Sequence, residues 1–242
     1  LAAVVRRHRE REALATIVLT PVSNPSAYGL VETDEAGNVQ RFLEKPSADE
    51  ITCNTINAGI YVLAPAPLER IPSGEKWSVE RQYFPSLVER GETFVGYVDE
   101  GYWLDIGTPA SYVQAHRDLM AQRCPAGPFT GRSPEAVVQG HDCAIAAGAT
   151  VEGPCFLGDE VSLGEGARIG AGCVIGAGCR VEAGASVETS ILWPGSVVAE
   201  QADVRDSILA ESCRLEAHAS VRQALLGRGT VITAYSRLVG AS

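Results

Sequence analysis

The carboxyl-terminal half of the chain counts in sixes. Ile145, Val151, Leu157, Leu163, Ile169, Ile175, Val181 and Val187 stand six residues apart, with Gly, Ala, Cys and short polar residues filling most of the space between them. A helix repeats every 3.6 residues and a flat strand every 2, so neither satisfies that period. Three hexads make one triangular coil, with each aliphatic residue pointing inward from a flat side. Successive coils then stack as parallel strands about 4.8 Å apart. After Val187 the inward positions become Leu192, Val198, Val204, Leu209, Leu215, Val221, Leu226, Ile232 and Leu238, in steps of five, six and six. Ser190-Ile191-Leu192 returns as Ser207-Ile208-Leu209 and again as Ala224-Leu225-Leu226, 17 residues apart each time. A coil that drops one residue at the same corner in every turn gives that period. The expectation for 138–242 is an all-β parallel β-helix.

The seven cysteines test this reading, because they could equally be a metal or disulfide set. There is no C-x-x-C. Cys143, Cys155, Cys173, Cys179 and Cys213 each fall four residues after an inward position (Gln139, Val151, Ile169, Ile175 and Leu209). The same slot elsewhere holds Ala149, Ala167, Ala185, Ala202 and Ala219. Cysteine is therefore read as a small buried hydrophobe rather than a zinc ligand. So many free thiols suggest a reducing cytoplasm.

Residues 1–122 alternate helical and strand patterns. Leu1 to about Arg11 reads as a helix and Ala13–Thr20 as a strand. Tyr28–Thr33 and Val39–Glu44 flank Asp34-Glu35-Ala36-Gly37-Asn38, a strong hairpin signal. Ala58–Leu63 is a compact apolar strand. Ser78–Arg90 reads as a capped helix closed by Gly91. Thr93–Val98 and Tyr102–Leu104 read as short strands. Thr108-Pro109 opens a helix to about Gln122, with Thr as cap and Pro in the first turn. Residues 123–137 hold three prolines and two glycines and read as a linker. At 242 residues the chain has room for one or two domains. Its formal net charge of −10 argues against a broad nucleic-acid surface. A small anionic substrate stays compatible, since local basic residues and a metal can overcome the global sign. No stretch has the 18 unbroken apolar residues of a membrane span, and the opening residues do not read as a signal peptide.

Four short segments concentrate polar residues suited to phosphate and sugar chemistry. In Asn24-Pro25-Ser26-Ala27-Tyr28-Gly29 a turn runs into a strand, and Gly29 would let a ligand approach the backbone closely, unless it is a plain turn glycine. In Glu44-Lys45-Pro46 the proline stops the ladder, so Glu44 and Lys45 sit at a rim. There a lysine meets phosphate as a point charge, or forms a surface ion pair. In Asn57-Ala58-Gly59-Ile60-Tyr61 the asparagine either bonds a sugar hydroxyl or satisfies a local turn. Tyr102-Trp103-Leu104-Asp105-Ile106-Gly107-Thr108-Pro109 delivers a carboxylate just ahead of a capped helix. Asp105 could bind Mg²⁺, a hard cation that favours oxygen ligands and substrate phosphates, or be an ordinary loop aspartate.

The order of the four segments is what raises them above coincidence. It resembles the sugar-nucleotide pyrophosphorylase family, which shows Y-G-x-V-E, E-K-P, N-A-G-I-Y and W-x-D-I-G-T-P in this order and at about this spacing. The resemblance covers essentially the whole chain. It implies the carboxyl half of a Rossmann-like α/β nucleotidyltransferase domain over 1–122, followed by a left-handed β-helix. That hand opposes the usual crossover rule and comes from the family alone. The resemblance further implies that Gly29, Glu44, Lys45 and Asn57 line the sugar-phosphate site. Lys45 would hold the phosphate, while Glu44 and Asn57 would bind hydroxyls. Asp105 would be one of two carboxylates on a catalytic Mg²⁺. The partners implied are an NTP and a sugar 1-phosphate, with neither nucleic acid nor membrane, and self-association through the β-helix. Asn24–Gly29, Asn57–Tyr61 and Ser78-Val79-Glu80-Arg81 with Phe84-Pro85 look most like the branch that uses GTP and mannose 1-phosphate. Glucose 1-phosphate enzymes stand close behind.

One departure is large. The family's glycine-rich loop, G-x-G-x-R, and its other metal aspartate should precede everything seen here. Gly164-Glu165-Gly166-Ala167-Arg168 and Gly176-Ala177-Gly178-Cys179-Arg180 match the loop only superficially, because both sit inside hexads. An amino-terminal part is therefore expected to be missing, and the chain by itself to be inactive. Two other readings compete. A hexapeptide-repeat acyltransferase would need His141 or His218 as base, though His218 between two alanines reads as a solvent-facing corner. A non-catalytic regulatory homologue would use the β-helix for assembly.

Overall fold

The computed structural model describes residues 1–124 and 126–240. They form two compact units, one ending at Trp103 and the other beginning at Leu104. Pro125, inside the stretch read as a linker, and Ala241 and Ser242, at the end of the expected β-helix, lie outside the described residues.

The first unit is a five-stranded mixed sheet with helices against it. Helix α1 is Ala2–Glu10. The strands are β1 (Ala15–Pro21), β2 (Gly29–Thr33), β3 (Val39–Glu44), β4 (Thr55–Leu63) and β5 (Phe94–Val98), in the spatial order β3-β2-β4-β1-β5. β1 runs antiparallel to β4 and parallel to β5. The β2–β3 hairpin forms as expected. Asp34 Oδ1 accepts the Asn38 N–H at 2.8 Å, and Gly37 takes the left-handed conformation the turn needs. A short helix α2 (Pro65–Leu68) precedes the segment opened by Ser78. That segment begins as one wide π turn, Val79–Tyr83, and only then becomes α3, Phe84–Glu89. The Ser78 hydroxyl accepts the Arg81 N–H, the expected cap. Phe84 is fully buried, stacked on Phe94 with ring centroids 5.0 Å apart.

One irregularity in this sheet matters below. Between Ile17 and Leu19 β1 advances two residues, while β4 advances four, from Asn57 to Tyr61. β4 therefore bulges at Ala58–Ile60, with Gly59 at φ +78°. The bulge removes Ala58 from the ladder, and the Trp103 indole N–H donates to its carbonyl at 3.1 Å. This corrects the strand expected at Tyr102–Leu104. β1 and β4 are already paired on both sides, and the segment is held by its indole in place of a ladder.

The second unit opens with α4, Pro109–Met120. Its Thr108 cap and Ser111 satisfy each other's backbone N–H, both at 3.1 Å. Among the described residues the chain then winds into eighteen short strands in three six-stranded parallel sheets, each strand paired with the third one on. Early coils hold 18 residues, as in Leu163 opposite Val181. Later coils hold 17, as in Leu192 opposite Leu209. The inward residues from Leu157 to Leu226 are all buried. Ile145 is 44% exposed, because its coil is the first and has a neighbour on one side only.

Four of the five cysteines in the repeat, Cys155, Cys173, Cys179 and Cys213, are buried, and all are free. The thiols of Cys173, Cys179 and Cys213 donate weakly to carbonyls one coil on. Burial pushes Cys173 and Cys179 up to about 11. At the shortened corner serine replaces cysteine. Ser190 Oγ donates to the Glu188 carbonyl at 2.7 Å and accepts the Ser207 N–H from the next coil. Ser207 repeats this with Arg205 and Ala224. The corner that loses a residue thus keeps its buried backbone groups paired, which explains the recurring Ser-Ile-Leu.

The three outer faces differ. One presents Val138, Phe156, Val174, Ile191, Ile208 and Leu225 in a continuous apolar row. Met120 from α4 and Phe129 pack with Val138, Phe156 and Val174 of this row. α4 thus belongs to the second unit because an aliphatic surface is there to receive it. Another face carries Glu188, Arg205, Asp203 and Arg222 in a ladder of ion pairs. No helix among the described residues is long and apolar enough to cross a membrane.

Candidate active site

The sheet order places three of the predicted residues side by side. Gly29 opens β2, opposite Glu44 at the end of β3, and Asn57 flanks it on β4. A methyl group on Gly29 would stand 3.0 Å from the tip of the Phe42 ring, 3.1 Å from Glu44 Oε2 and 3.6 Å from Asn57 Cβ. Glycine is required here by close approach: a side chain would run into the Phe42 ring and the Glu44 carboxylate, so only bare backbone fits between Glu44 and Asn57.

Lys45 is the first residue past the ladder. Its N–H donates to the Tyr28 carbonyl at 3.1 Å, and it takes a left-handed backbone conformation at φ +53° before the buried Pro46. That conformation costs a non-glycine residue about 1 kcal/mol. It turns an exposed lysine out of the line of β3 directly beside Glu44.

Asn57 is 9% exposed and tightly held. Its Nδ2 donates to the Tyr61 hydroxyl at 2.8 Å and to Glu80 Oε1 at 3.0 Å, while its Oδ1 accepts the Gly59 N–H at 2.8 Å. The β4 bulge makes the last bond possible. Glu80 comes from the π turn and was not among the residues singled out as binding. Its one sequence signal is the capped start at Ser78, which places it in a first turn without saying what it faces. The Glu44 carboxyl is held above the usual range, first by partial burial and then by the like charge of Glu80, against the pull of Lys45 and Arg81. Beside the start of β2, a cleft of about 400 Å³ is lined by Val22, Ser23, Asn24, Ala27, Tyr28 and Trp103. Tyr28 and Trp103 meet edge to face at 5.5 Å.

Asp105 belongs to the second unit, in the exposed loop ahead of α4. Its Oδ1 accepts the Gly107 N–H at 3.0 Å, an Asx turn leading into the Thr108 cap. No group of three or more His, Cys, Asp or Glu residues among those described could hold a metal. A single carboxylate with one engaged oxygen suits a cation whose shell is completed by water and substrate phosphates, as Mg²⁺ prefers. The two G-x-G-x-R strings lie in the coils, where the Gly164 N–H donates to Val181 and the Gly176 N–H to Leu192. His218 sits at a left-handed corner, stacked on Tyr235 with centroids 4.7 Å apart. His141 lies between the carboxylates of Asp142 and Asp159, at 3.1 and 3.0 Å.

The sequence profile of the family described as "Nucleotidyl transferase" matches residues 1–122, and that of the "GMPPB C-terminal domain" matches 151–241. The chain belongs to the nucleotidyl transferase family. It is 39% identical over 160 residues to the mannose-1-phosphate guanylyltransferase of Mycobacterium tuberculosis, covering 65% of this chain and 44% of that protein. It is 37% identical over 124 residues to a UTP--glucose-1-phosphate uridylyltransferase of Synechocystis, covering 50% of this chain and 32% of the relative. Against mannose-1-phosphate guanyltransferase beta-B of Xenopus laevis it is 37% identical over 153 residues, 58% of this chain and 41% of the relative. The chain spans less than half the length of these relatives.

Proposed function

We propose that this chain supplies the sugar-phosphate side of a nucleotidyltransferase that converts GTP and mannose 1-phosphate to GDP-mannose and pyrophosphate. The observation that carries the reading is the convergence of Glu44 and Asn57 around Gly29 at the start of β2, with Lys45 turned out beside them. Lys45 meets the sugar phosphate as a point charge. Glu44 accepts from sugar hydroxyls, and Asn57 forms the far wall. A phosphate oxygen of the sugar attacks the α-phosphorus in line, and pyrophosphate leaves. No covalent enzyme intermediate is needed, so these residues act by alignment and charge. Asp105 is proposed as one ligand of Mg²⁺, which when bound neutralises phosphate charge. Residues 1–122 are assigned to catalysis and 138–242 to a solenoid through which copies of the chain associate. The seven free cysteines fit a reducing compartment.

The test is calorimetric titration of the 242-residue chain with mannose 1-phosphate and, in parallel, glucose 1-phosphate. Mannose 1-phosphate should bind more tightly, and Lys45→Ala should weaken it by about tenfold, close to 1.4 kcal/mol. Tighter binding of glucose 1-phosphate would move the assignment to that branch. Absence of binding by either sugar phosphate, or an unchanged affinity in Lys45→Ala, would remove the reading.

A further inference from the structure

Asn57 has little hydrogen-bonding capacity left for a ligand. A primary amide offers two hydrogens and two acceptor lone pairs. Both Nδ2 hydrogens are used, one by Tyr61 and one by Glu80, and one Oδ1 lone pair takes the Gly59 N–H. The amide is also locked. A flip would set its oxygen against the Glu80 carboxylate and its NH₂ against the Gly59 N–H. The capacity that remains around Gly29 is mostly acceptor, in the Glu44 carboxylate, the second oxygen of Glu80 and one lone pair of Asn57, with the Tyr61 hydroxyl proton as the donor among these groups. Such a set is satisfied by a ligand that brings several hydroxyls close together. Lys45 and Arg81 are the cations facing Glu44, and Glu80 is the like charge beside it.

We propose that Glu80 is a specificity-determining residue of the sugar pocket, pairing with Glu44 to receive adjacent hydroxyls and holding Asn57 fixed between them. This rests on the sugar 1-phosphate reading above and adds a second carboxylate to it. Two carboxylates repel each other until hydroxyl donors lie between them, and the bonds those donors make are charge-assisted. A pocket built this way rejects a sugar lacking one hydroxyl far more strongly than an apolar pocket would, because a half-buried carboxylate is left unpaired.

The experiment titrates wild type, Glu80→Gln and Glu80→Ala with mannose 1-phosphate, its monodeoxy analogues and inorganic phosphate. Glu80→Ala should weaken mannose 1-phosphate on the order of 10- to 100-fold. Inorganic phosphate, which needs no hydroxyl site, should stay within about twofold. Glu80→Gln keeps an acceptor for Asn57 and should fall between the two, and it carries the test if Glu80→Ala melts early. The decisive readout is discrimination. At least one deoxy analogue should bind wild type about tenfold more weakly than the intact sugar, and Glu80→Ala within about twofold of it. Wild-type binding with discrimination preserved in both variants would overturn the role of Glu80 and leave the sugar-phosphate reading standing. Wild type that binds no sugar 1-phosphate would overturn both.

Discussion

The two units bury apolar surface in opposite ways. In the solenoid one slot is filled by an aliphatic residue in coil after coil, and every inner coil meets the same neighbours above and below. In the sheet unit no position is repeated. Gly29, Glu44, Asn57 and Glu80 come together only because a hairpin, a bulge and a π turn converge on the start of β2. Repetition makes a scaffold easy to read. The proposed chemistry sits where regularity is broken: at a left-handed lysine, a bulged strand and a helix that starts too wide.

If that contrast holds, the largest effect belongs to the solenoid's interior. Val181 is 1% exposed, and Val181→Asp should cost on the order of 4 kcal/mol by burying an unpaired charge, read as a fall in the melting temperature of the coils. Next comes the loop ahead of α4. In a polypeptide that also carries a G-x-G-x-R loop ahead of this chain and forms GDP-mannose, Asp105→Asn should lower kcat by about 100-fold, or about 2.7 kcal/mol, with folding unchanged. Near wild-type pyrophosphate release would refute the metal role. Gly29→Ala should weaken mannose 1-phosphate by about tenfold, since the Phe42 ring and the Glu44 carboxylate must give way to the methyl. Undiminished affinity would mean the sugar does not lie against Gly29.

The two smallest effects probe the outer faces. Burial pushes the Asp203 carboxyl up, but hydrogen bonds from Ser186 and Arg205 and the charges of Arg205 and Arg222 outweigh it and hold it below the usual range. A depressed carboxyl contributes stability at pH values above its unfolded value and loses it as pH falls through the folded one. Asp203→Asn should therefore cost about 1 kcal/mol at neutral pH, and the gap to wild type should close in acid. A gap that widened in acid would contradict the ion-pair account. Glu182→Lys, one residue past Val181, should stay within about 0.5 kcal/mol of wild type. Equal melting shifts for Val181→Asp and Glu182→Lys would show that the solenoid register is wrong.

The solenoid was legible almost residue by residue, since a six-residue count names the inward slot and needs no partner from elsewhere. The hairpin at Asp34–Asn38 and the caps at Ser78 and Thr108 were legible for a related reason: their chemistry is local. The allegiance of α4 was not. It depends on the apolar residues one before the inward slot, and only on one face of three. The expected strand at Tyr102–Leu104 failed because aromatic content signals burial without saying whether a ladder position is vacant. Gly29, Glu44, Lys45 and Asn57 stood out through short motifs, and the sheet brings three of them together with the fourth beside them. Glu80 did not stand out, because an acid in a helix's first turn complements the dipole anywhere. Only the 23-residue return of the chain reveals its bond to Asn57.

The stacking of coils also has a mechanical meaning. In the later part of the solenoid each strand is bonded to the one 17 residues away, so a pull on the carboxyl end loads one coil at a time. Each coil released would add about 60 Å of contour length while removing one layer about 5 Å thick. Under tension this half of the molecule should behave as a spool that pays out in equal lengths, with the step size itself recording where 17-residue coils give way to longer ones.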